Sequence, residues 1–351
     1  MPKVFIIILN WNGWSDTKEC LESLEKVTYD NFEVILIDNA SSEKFSIYNS
    51  QFTNLLITPI FNKENLGFAG GNNQGIKIAL ERGADYTLLL NNDTTVEPNF
   101  LTELVDAAEN NKEFGIVGPI IHDYKNREKI QFAGGKINWS KTRGTHQIVM
   151  PDSIRHPDAV PAEAGIHWIP AGVYPKLDSR FRSPCRSHRR SAGGNDRFGA
   201  GMTENRVEQT DEIIRTDYIT GCCLLIKREV IEKIGLLSED YFLYYEDTDW
   251  NLRTQKAGWL CGVVRNARIY HKASQSAQEF SYPYIYYHSR NGLMFSARFG
   301  NKLLIYLISF WILAKQVIKL IIGYKKDWAR PVMKGVVDFW KGKKGKLEGY
   351  Y

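Results

Sequence analysis

Cysteine is scarce in this sequence: there are five in 351 residues, none of them in a Cys-x-x-Cys pair. Cys222 and Cys223 are adjacent, which is not a zinc-ligand spacing, and an odd number argues against a disulfide framework. Reduced thiols in the cytosol are the expectation. Signal-peptide features are few too: the apolar start, Val4 to Leu9, is short, has no small-residue cleavage site and runs into polar Asn10, so a buried first strand is the expectation. Long apolar runs are few. The longest, Leu303 to Ala314 within the Leu/Ile-rich stretch Lys302 to Tyr324, is too short to span a bilayer. No Gly-Lys-Ser/Thr follows the glycines between Gly67 and Gly75, so there is no P-loop. No Ser-His-Asp set with a strained elbow is present either. The charge balance is mild: net charge +5 and pI near 8.7 suit an anionic substrate or membrane surface without demanding either.

What is present reads as an α/β chain with a mostly parallel sheet. Val4 to Leu9 and Phe32 to Ile37 are continuous apolar runs, as expected of strands buried on both faces, and Leu55 to Ile57 suggests a short third. Between them, Ser15 or Asp16 is suited to cap a helix running to about Val27. Asn62 to Gly75 is rich in glycine and asparagine, with a helix expected from about Asn72 to Arg82. The next strand, Leu88 to Leu90, runs straight into Asn91-Asn92-Asp93, and Pro98 suits the first turn of a following helix. Further strands are expected over Gly115 to Ile121, Asp217 to Ile226 and Ala267 to His271, with a hairpin or meander over Lys129 to Val149. Helices are expected from Arg228 to Ile234, ended by Gly235, and from about Asp247 to Ala257.

In an open parallel sheet, ligands sit beyond the carboxyl ends of the strands. Asp38 and Asp93 fall at two such ends, His271 at a third, and Glu246-Asp247 at a helix start. Carboxylates so placed suit Mg²⁺ or Mn²⁺, and such an ion suits a diphosphate. Singly, each acid is equally a turn or capping residue.

From about Pro151 to Asn205 the pattern breaks: arginine, glycine and proline accumulate and apolar periodicity vanishes. The expectation is a basic surface insertion of low order. Its words Asp178-Ser179-Arg180-Phe181-Arg182 and Asn195-Asp196-Arg197-Phe198-Gly199 resemble translated bacterial repeat elements. No fold that presents bases or grooves accompanies it, so nucleic acid is not an expected partner.

Asp38-Asn39-Ala40-Ser41-Ser42, Asn65-Leu66-Gly67-Phe68-Ala69-Gly70-Gly71-Asn72-Asn73, Leu90-Asn91-Asn92-Asp93, Thr220-Gly221-Cys222 and Phe242 to Trp250, in that order, resemble the family-2 glycosyltransferases, most closely their rhamnosyltransferase-like branch. The resemblance covers about residues 3 to 300 apart from the insertion. It implies a GT-A-type nucleotide-sugar-binding fold and inverting transfer of a sugar, such as rhamnose, from a dTDP- or UDP-sugar to a saccharide or lipid-linked saccharide. By the same resemblance Asp247 is the general base with Glu246 beside it, and Asp93 and His271 hold a divalent metal, Mg²⁺ or Mn²⁺. Asn91 stands where the metal motif's first acid would be. Asn10, Asp38, Asn65, Gly67, Gly71, Asn72, Asn92 and Asp93 are expected to line the donor site. The division that follows is 1–150 for the nucleotide-sugar half, 151–205 for the insertion, 206–300 for the acceptor and base half, and 301–351 for an amphipathic helical tail. That tail, with Lys341 to Lys346, is expected to lie peripherally on the inner face of the cell membrane. Two alternatives stand beside this reading: a remnant enzyme disrupted by the insertion, and a sugar nucleotidyltransferase of similar fold.

Overall fold

The computed structural model describes residues 1–42, 52–138, 143–146, 212–272 and 281–350; the insertion over 151–205 lies outside them. The first half alternates strand and helix: β1 (Val4–Asn10), α1 (Trp14–Leu24), β2 (Phe32–Asp38), β3 (Ile57–Phe61), α2 (Gly67–Glu81) and β4 (Tyr86–Asn91). Then come β5 (Thr94–Val96), α3 (Phe100–Asn110), β6 (Phe114–Asp123), β7 (Ile130–Phe132) and the hairpin β8 (Gly135–Asn138) with β9 (Arg143–His146). The second half supplies β10 (Ile213–Thr216), β11 (Cys223–Lys227), α4 (Arg228–Ile234), α5 (Glu246–Lys256) and β12 (Leu260–His271), then three helices, α6 (Tyr282–Phe299), α7 (Lys302–Ile321) and α8 (Lys326–Trp340).

One sheet joins both halves, in the order β10-β12-β6-β11-β4-β1-β2-β3, with β5 on β12 and β7 on β6. β3, β2, β1 and β4 are parallel, as are β6 and β12, while β11 runs antiparallel between them. The buried runs Val4–Ile8, Val34–Ile37 and Leu88–Leu90 form its centre. Strand order reverses between β1 and β4, and such a switch point opens a crevice at the carboxyl ends. Because β11 is antiparallel, its start lies beside the end of β4, Cys223 opposite Leu90. Thr220-Gly221-Cys222 is thereby carried to the same rim as Asn91-Asn92-Asp93.

Several boundaries differ from the sequence expectation. α2 begins at Gly67 rather than near Asn72, so the Gly/Asn-rich stretch is itself helical from that point. A Cβ on Gly75 would stand 2.7 Å from Ile7 Cγ2, and one on Gly71 2.5 Å from Leu9 Cδ1. These glycines let α2 lie close on β1, which outweighs their poor helix propensity. The third strand falls at Ile57–Phe61 rather than Leu55 to Ile57. The strand expected over Asp217 to Ile226 starts only at Cys223, after a turn at Gly221. α1 starts after Gly13 with no side-chain cap, so Ser15 and Asp16 lie within its first turn.

The C-terminal helices form a second apolar cluster, in which Ile285 and Leu293 of α6 meet Ile305 and Ile308 of α7 and Val332, Val336 and Phe339 of α8. The opposite face of α7 is exposed and apolar, with Leu303, Leu307, Phe310, Trp311, Ile318 and Ile321 each more than half accessible. α7 continues past the Leu303 to Ala314 run to 20 residues, which corrects the sequence expectation of a segment too short to span: by length and composition alone it is long and apolar enough to cross a membrane.

Candidate active site

At the end of β1, buried Asn10 knits three elements together. Its Nδ2 donates to Asp38 Oδ1 at 2.9 Å. Its Oδ1 accepts from Thr17 Oγ1 at 2.9 Å and from Gly13 N at 3.2 Å. Asn92 Nδ2 donates to Thr17 Oγ1 at 3.0 Å and to the Gly13 carbonyl at 3.2 Å, so this asparagine ties the β4 turn to α1. Asp38 ends β2, is buried, and also accepts from the Ser41 hydroxyl and, at 3.2 Å, the Ser41 backbone N–H.

Asn65 and Asn39 shape the entry to α2. Asn65 Oδ1 accepts from Gly67 N at 2.8 Å and from Asn39 Nδ2 at 2.9 Å. Asn72 is turned inward, its Nδ2 on the Phe68 carbonyl at 2.9 Å. Gly67 has φ +73°, and a Cβ there would stand 2.4 Å from the Phe242 carbonyl oxygen. Gly67 and Gly71 therefore face protein, Phe242 and Leu9 respectively.

Asp93, buried just past β4, meets His271 at the end of β12, with Nε2 3.3 Å from Oδ2. Gln131 Oε1 lies 3.0 Å from His271 Nδ1, while Gln131 Nε2 donates to Asp123 Oδ2 and to the His271 carbonyl, both at 3.0 Å. Those two acceptors fix the amide orientation, so Oε1 faces the ring and Nδ1 carries a proton. Burial disfavours the charged imidazole, but Cys222 and Asp93 outweigh it and hold His271 well above the ordinary histidine range. The facing imidazole nitrogen and carboxylate oxygen are groups that a divalent cation binds in their deprotonated forms. The donor chemistry fits Mn²⁺ or Mg²⁺ as a two-ligand site to be completed by substrate oxygens and water. Among the described residues no group of three or more His, Cys, Asp or Glu side chains is placed to hold a metal by itself.

Asp247, in the first turn of α5, points at the same rim. Its Oδ2 accepts from Gly221 N at 2.9 Å and its Oδ1 from Thr248 N at 2.6 Å. Gly221 is wedged between Phe68 and Asp247: a Cβ there would lie 2.9 Å from the Phe68 ring and 3.5 Å from Asp247 Cβ. The next residue, Cys222, accepts from Asn91 N at 2.9 Å through its carbonyl and interacts with His271 through its side chain. A short path thus runs Asp93, His271, Cys222, Gly221, Asp247. Glu246 differs sharply: it is buried, and among the described residues its Oε2 has no hydrogen-bond partner. Burial, then the neighbouring Asp247, pushes its carboxyl well above the usual carboxylate range.

Sequence reasoning missed Gln131, whose importance depends on the β7–β12 approach, and Lys272. The Lys272 ammonium binds Asp16 Oδ1 at 2.7 Å and Glu19 Oε2 at 2.6 Å, fastening the end of β12 to α1. No local motif marks either residue. Asp249 belongs to the recognised Glu-Asp word but is structural: fully buried, it pairs with Arg253 at 2.6 Å and Arg298 at 2.9 Å and accepts from Tyr241 Oη.

Comparison with known proteins agrees with this architecture. The model described as Glycosyl transferase family 2 matches residues 5–161. The N-acetylglucosaminyl-diphospho-decaprenol L-rhamnosyltransferase of Mycobacterium tuberculosis is 24% identical over 301 residues, 83% of either chain. The low-salt glycan biosynthesis hexosyltransferase Agl10 of Haloferax volcanii is 24% identical over 353 residues, 98% of this chain and 92% of that protein. Among solved structures, the mannosyltransferase PcManGT from Pyrobaculum calidifontis, in complex with GDP-Man and Mn²⁺, superposes with TM-score 0.53 at 13% identity, covering 98% of this chain and 88% of its own. GalNAc-T7 with UDP, GalNAc and Mn²⁺ gives 0.54 at 17% identity over 83% of this chain, which spans about half (47%) of that one. The sheet order and these likenesses define a glycosyltransferase with a GT-A-type fold. Residues 5–161 carry the match to glycosyl transferase family 2, and the chain is similar in sequence to a rhamnosyltransferase and a hexosyltransferase.

Proposed function

We propose that the chain transfers one sugar, rhamnose from a dTDP-linked donor, to a lipid-linked saccharide at the cytoplasmic face of a membrane, with inversion. The observation that carries this reading is the shared rim: Asp93 and His271 at one end of the path through Cys222 and Gly221, Asp247 at the other. The acceptor hydroxyl gives its proton to Asp247 as its oxygen bonds to the anomeric carbon. The bond from that carbon to the donor diphosphate breaks in the same displacement. A divalent cation, held by Asp93 and His271, would supply charge neutralisation at the departing diphosphate. Asp38 and the Asn10–Asn65 network are assigned to the nucleoside side. Rhamnose and a lipid-linked acceptor are supported by the name of the mycobacterial relative.

The exposed stripe of α7 supports the membrane location. Leu303, Leu307, Phe310 and Trp311 share one face, with Lys302, Lys315, Lys325 and Lys326 available to anionic headgroups. The test is incubation with a panel of nucleotide-sugars and Mn²⁺ or Mg²⁺, reading release of nucleotide diphosphate with and without a lipid-linked saccharide. dTDP-rhamnose should give the greatest acceptor-dependent release. Preference for another sugar overturns the donor assignment, and no release from any donor overturns the transferase reading of this site.

A further inference from the structure

The segment Tyr241-Phe242-Leu243-Tyr244-Tyr245 leads into Glu246-Asp247 and contains no glycine. Yet Phe242, Tyr244 and Tyr245 have φ of 66°, 67° and 78°, a left-handed region that bulky L-residues avoid. Such a backbone persists only where its surroundings over-determine it, and such sites gather at functional positions. Here the surroundings are specific. Asn291 of α6 is fully buried, and its Nδ2 donates to the carbonyls of Tyr241 at 2.9 Å, Leu243 at 2.8 Å and Tyr244 at 3.0 Å. Its Oδ1 accepts from Arg290 Nε at 2.9 Å, which settles the amide orientation.

Arg290 is itself fully buried. Its Nη2 donates to the Tyr241 carbonyl at 3.1 Å and its Nη1 to Tyr286 Oη at 3.3 Å, with the guanidinium over the Tyr286 and Tyr287 rings. From the other side, the Phe242 carbonyl accepts from Phe68 N at 2.8 Å, at the start of α2. The segment is therefore gripped between α2 and α6.

We propose that Asn291, oriented by Arg290, is a positioning residue of the transfer reaction: it holds Tyr241–Tyr245 in its left-handed course and thereby sets where Asp247 stands relative to the acceptor hydroxyl. This rests on Asp247 being the base. Asn291→Asp keeps the shape and removes the donors. Its kcat should fall about 100-fold, the scale of a misplacement of about 1 Å at a reacting group, while nucleotide-sugar affinity measured by calorimetry with Mn²⁺ stays at the wild-type value. Arg290→Lys should show the same kcat-only loss at smaller size, and it carries the test if Asn291→Asp does not fold. Adding Tyr244→Gly to Asn291→Asp should restore part of kcat, since glycine takes positive φ unaided. An unchanged kcat, a parallel loss of donor affinity, or no restoration by glycine each overturns the proposal. Asp247→Asn separates the two claims: full turnover in that variant defeats the base assignment whatever Asn291→Asp does.

Discussion

Glu246 and Asp247 are adjacent acids in opposite environments, and their roles divide accordingly. Asp247 is half-buried and oriented by two backbone N–H groups. Glu246 is sealed in, with an oxygen that no group among the described residues satisfies and a carboxyl pushed well up by burial. An acid whose folded pKa exceeds its unfolded value, about 4.3, lends stability that is complete below that value. The stability is lost as pH rises through the folded pKa. Glu246→Gln removes that loss, so its thermal midpoint at pH 8 should exceed wild type by about 2–4 °C, with the gap closing at pH 4; no gap at pH 8 contradicts the burial argument. Gln131 invites a second test. Removing the acceptor at His271 Nδ1 frees the ring's tautomer and orientation, an effect on metal sites of about 10–100-fold. Gln131→Leu should weaken Mn²⁺ binding by that factor in an electron paramagnetic resonance titration with nucleotide diphosphate present, and an unmoved titration removes Gln131 from the site.

α2 shows how an element can carry function through packing. Gly67 opens it at positive φ against the Phe242 carbonyl, so Gly67→Ala meets backbone rather than a yielding side chain. A cost of about 2–4 kcal/mol is expected from the strained φ and the overlap together, read as a lowered denaturant midpoint. A midpoint equal to wild type would show that the contact is slack. For α7 the expectation is different, because its outer face is largely exposed among the described residues. Phe310→Glu with Trp311→Glu should cut partition onto anionic vesicles about tenfold or more while leaving the thermal midpoint unchanged; undiminished partition would exclude this face. The strands of the first half were legible in sequence because runs such as Val4 to Leu9 and Phe32 to Ile37 are buried on both faces and carry no competing signal. The start of α2 was not, since Gly71 and Gly75 read as loop residues until Leu9 and Ile7 are seen beneath them. The packing of α6 and α8 was not legible either. Their apolar residues answer to one another and to α7, a pattern that no single window of sequence displays.

Across the whole molecule, two distant stretches build one rim because β11 enters the sheet antiparallel between β4 and β6. The acids and their order were readable from the chain, whereas Gln131, Lys272 and Asn291 act through partners up to 256 residues away. The flanks of the insertion bear on whether the enzyme works. Gly135 N donates to the Tyr218 carbonyl at 3.1 Å, and Ile137 N to Asp217 Oδ2 at 2.9 Å, so the described residues before and after it, 135–137 and 217–218, lie side by side. A long loop between close ends costs little more than a short one. Deleting residues 152–205 should therefore leave transfer near the wild-type rate, and a large gain on deletion would favour an enzyme impaired by its insertion. The most direct measurement sets Asp93→Ala beside Asp247→Asn, reading Mn²⁺-dependent donor affinity and acceptor turnover in each. The account predicts that Asp93→Ala loses the metal dependence of donor binding, while Asp247→Asn binds donor normally and transfers nothing. Full turnover by Asp247→Asn, or an unaltered metal titration in Asp93→Ala, would contradict it.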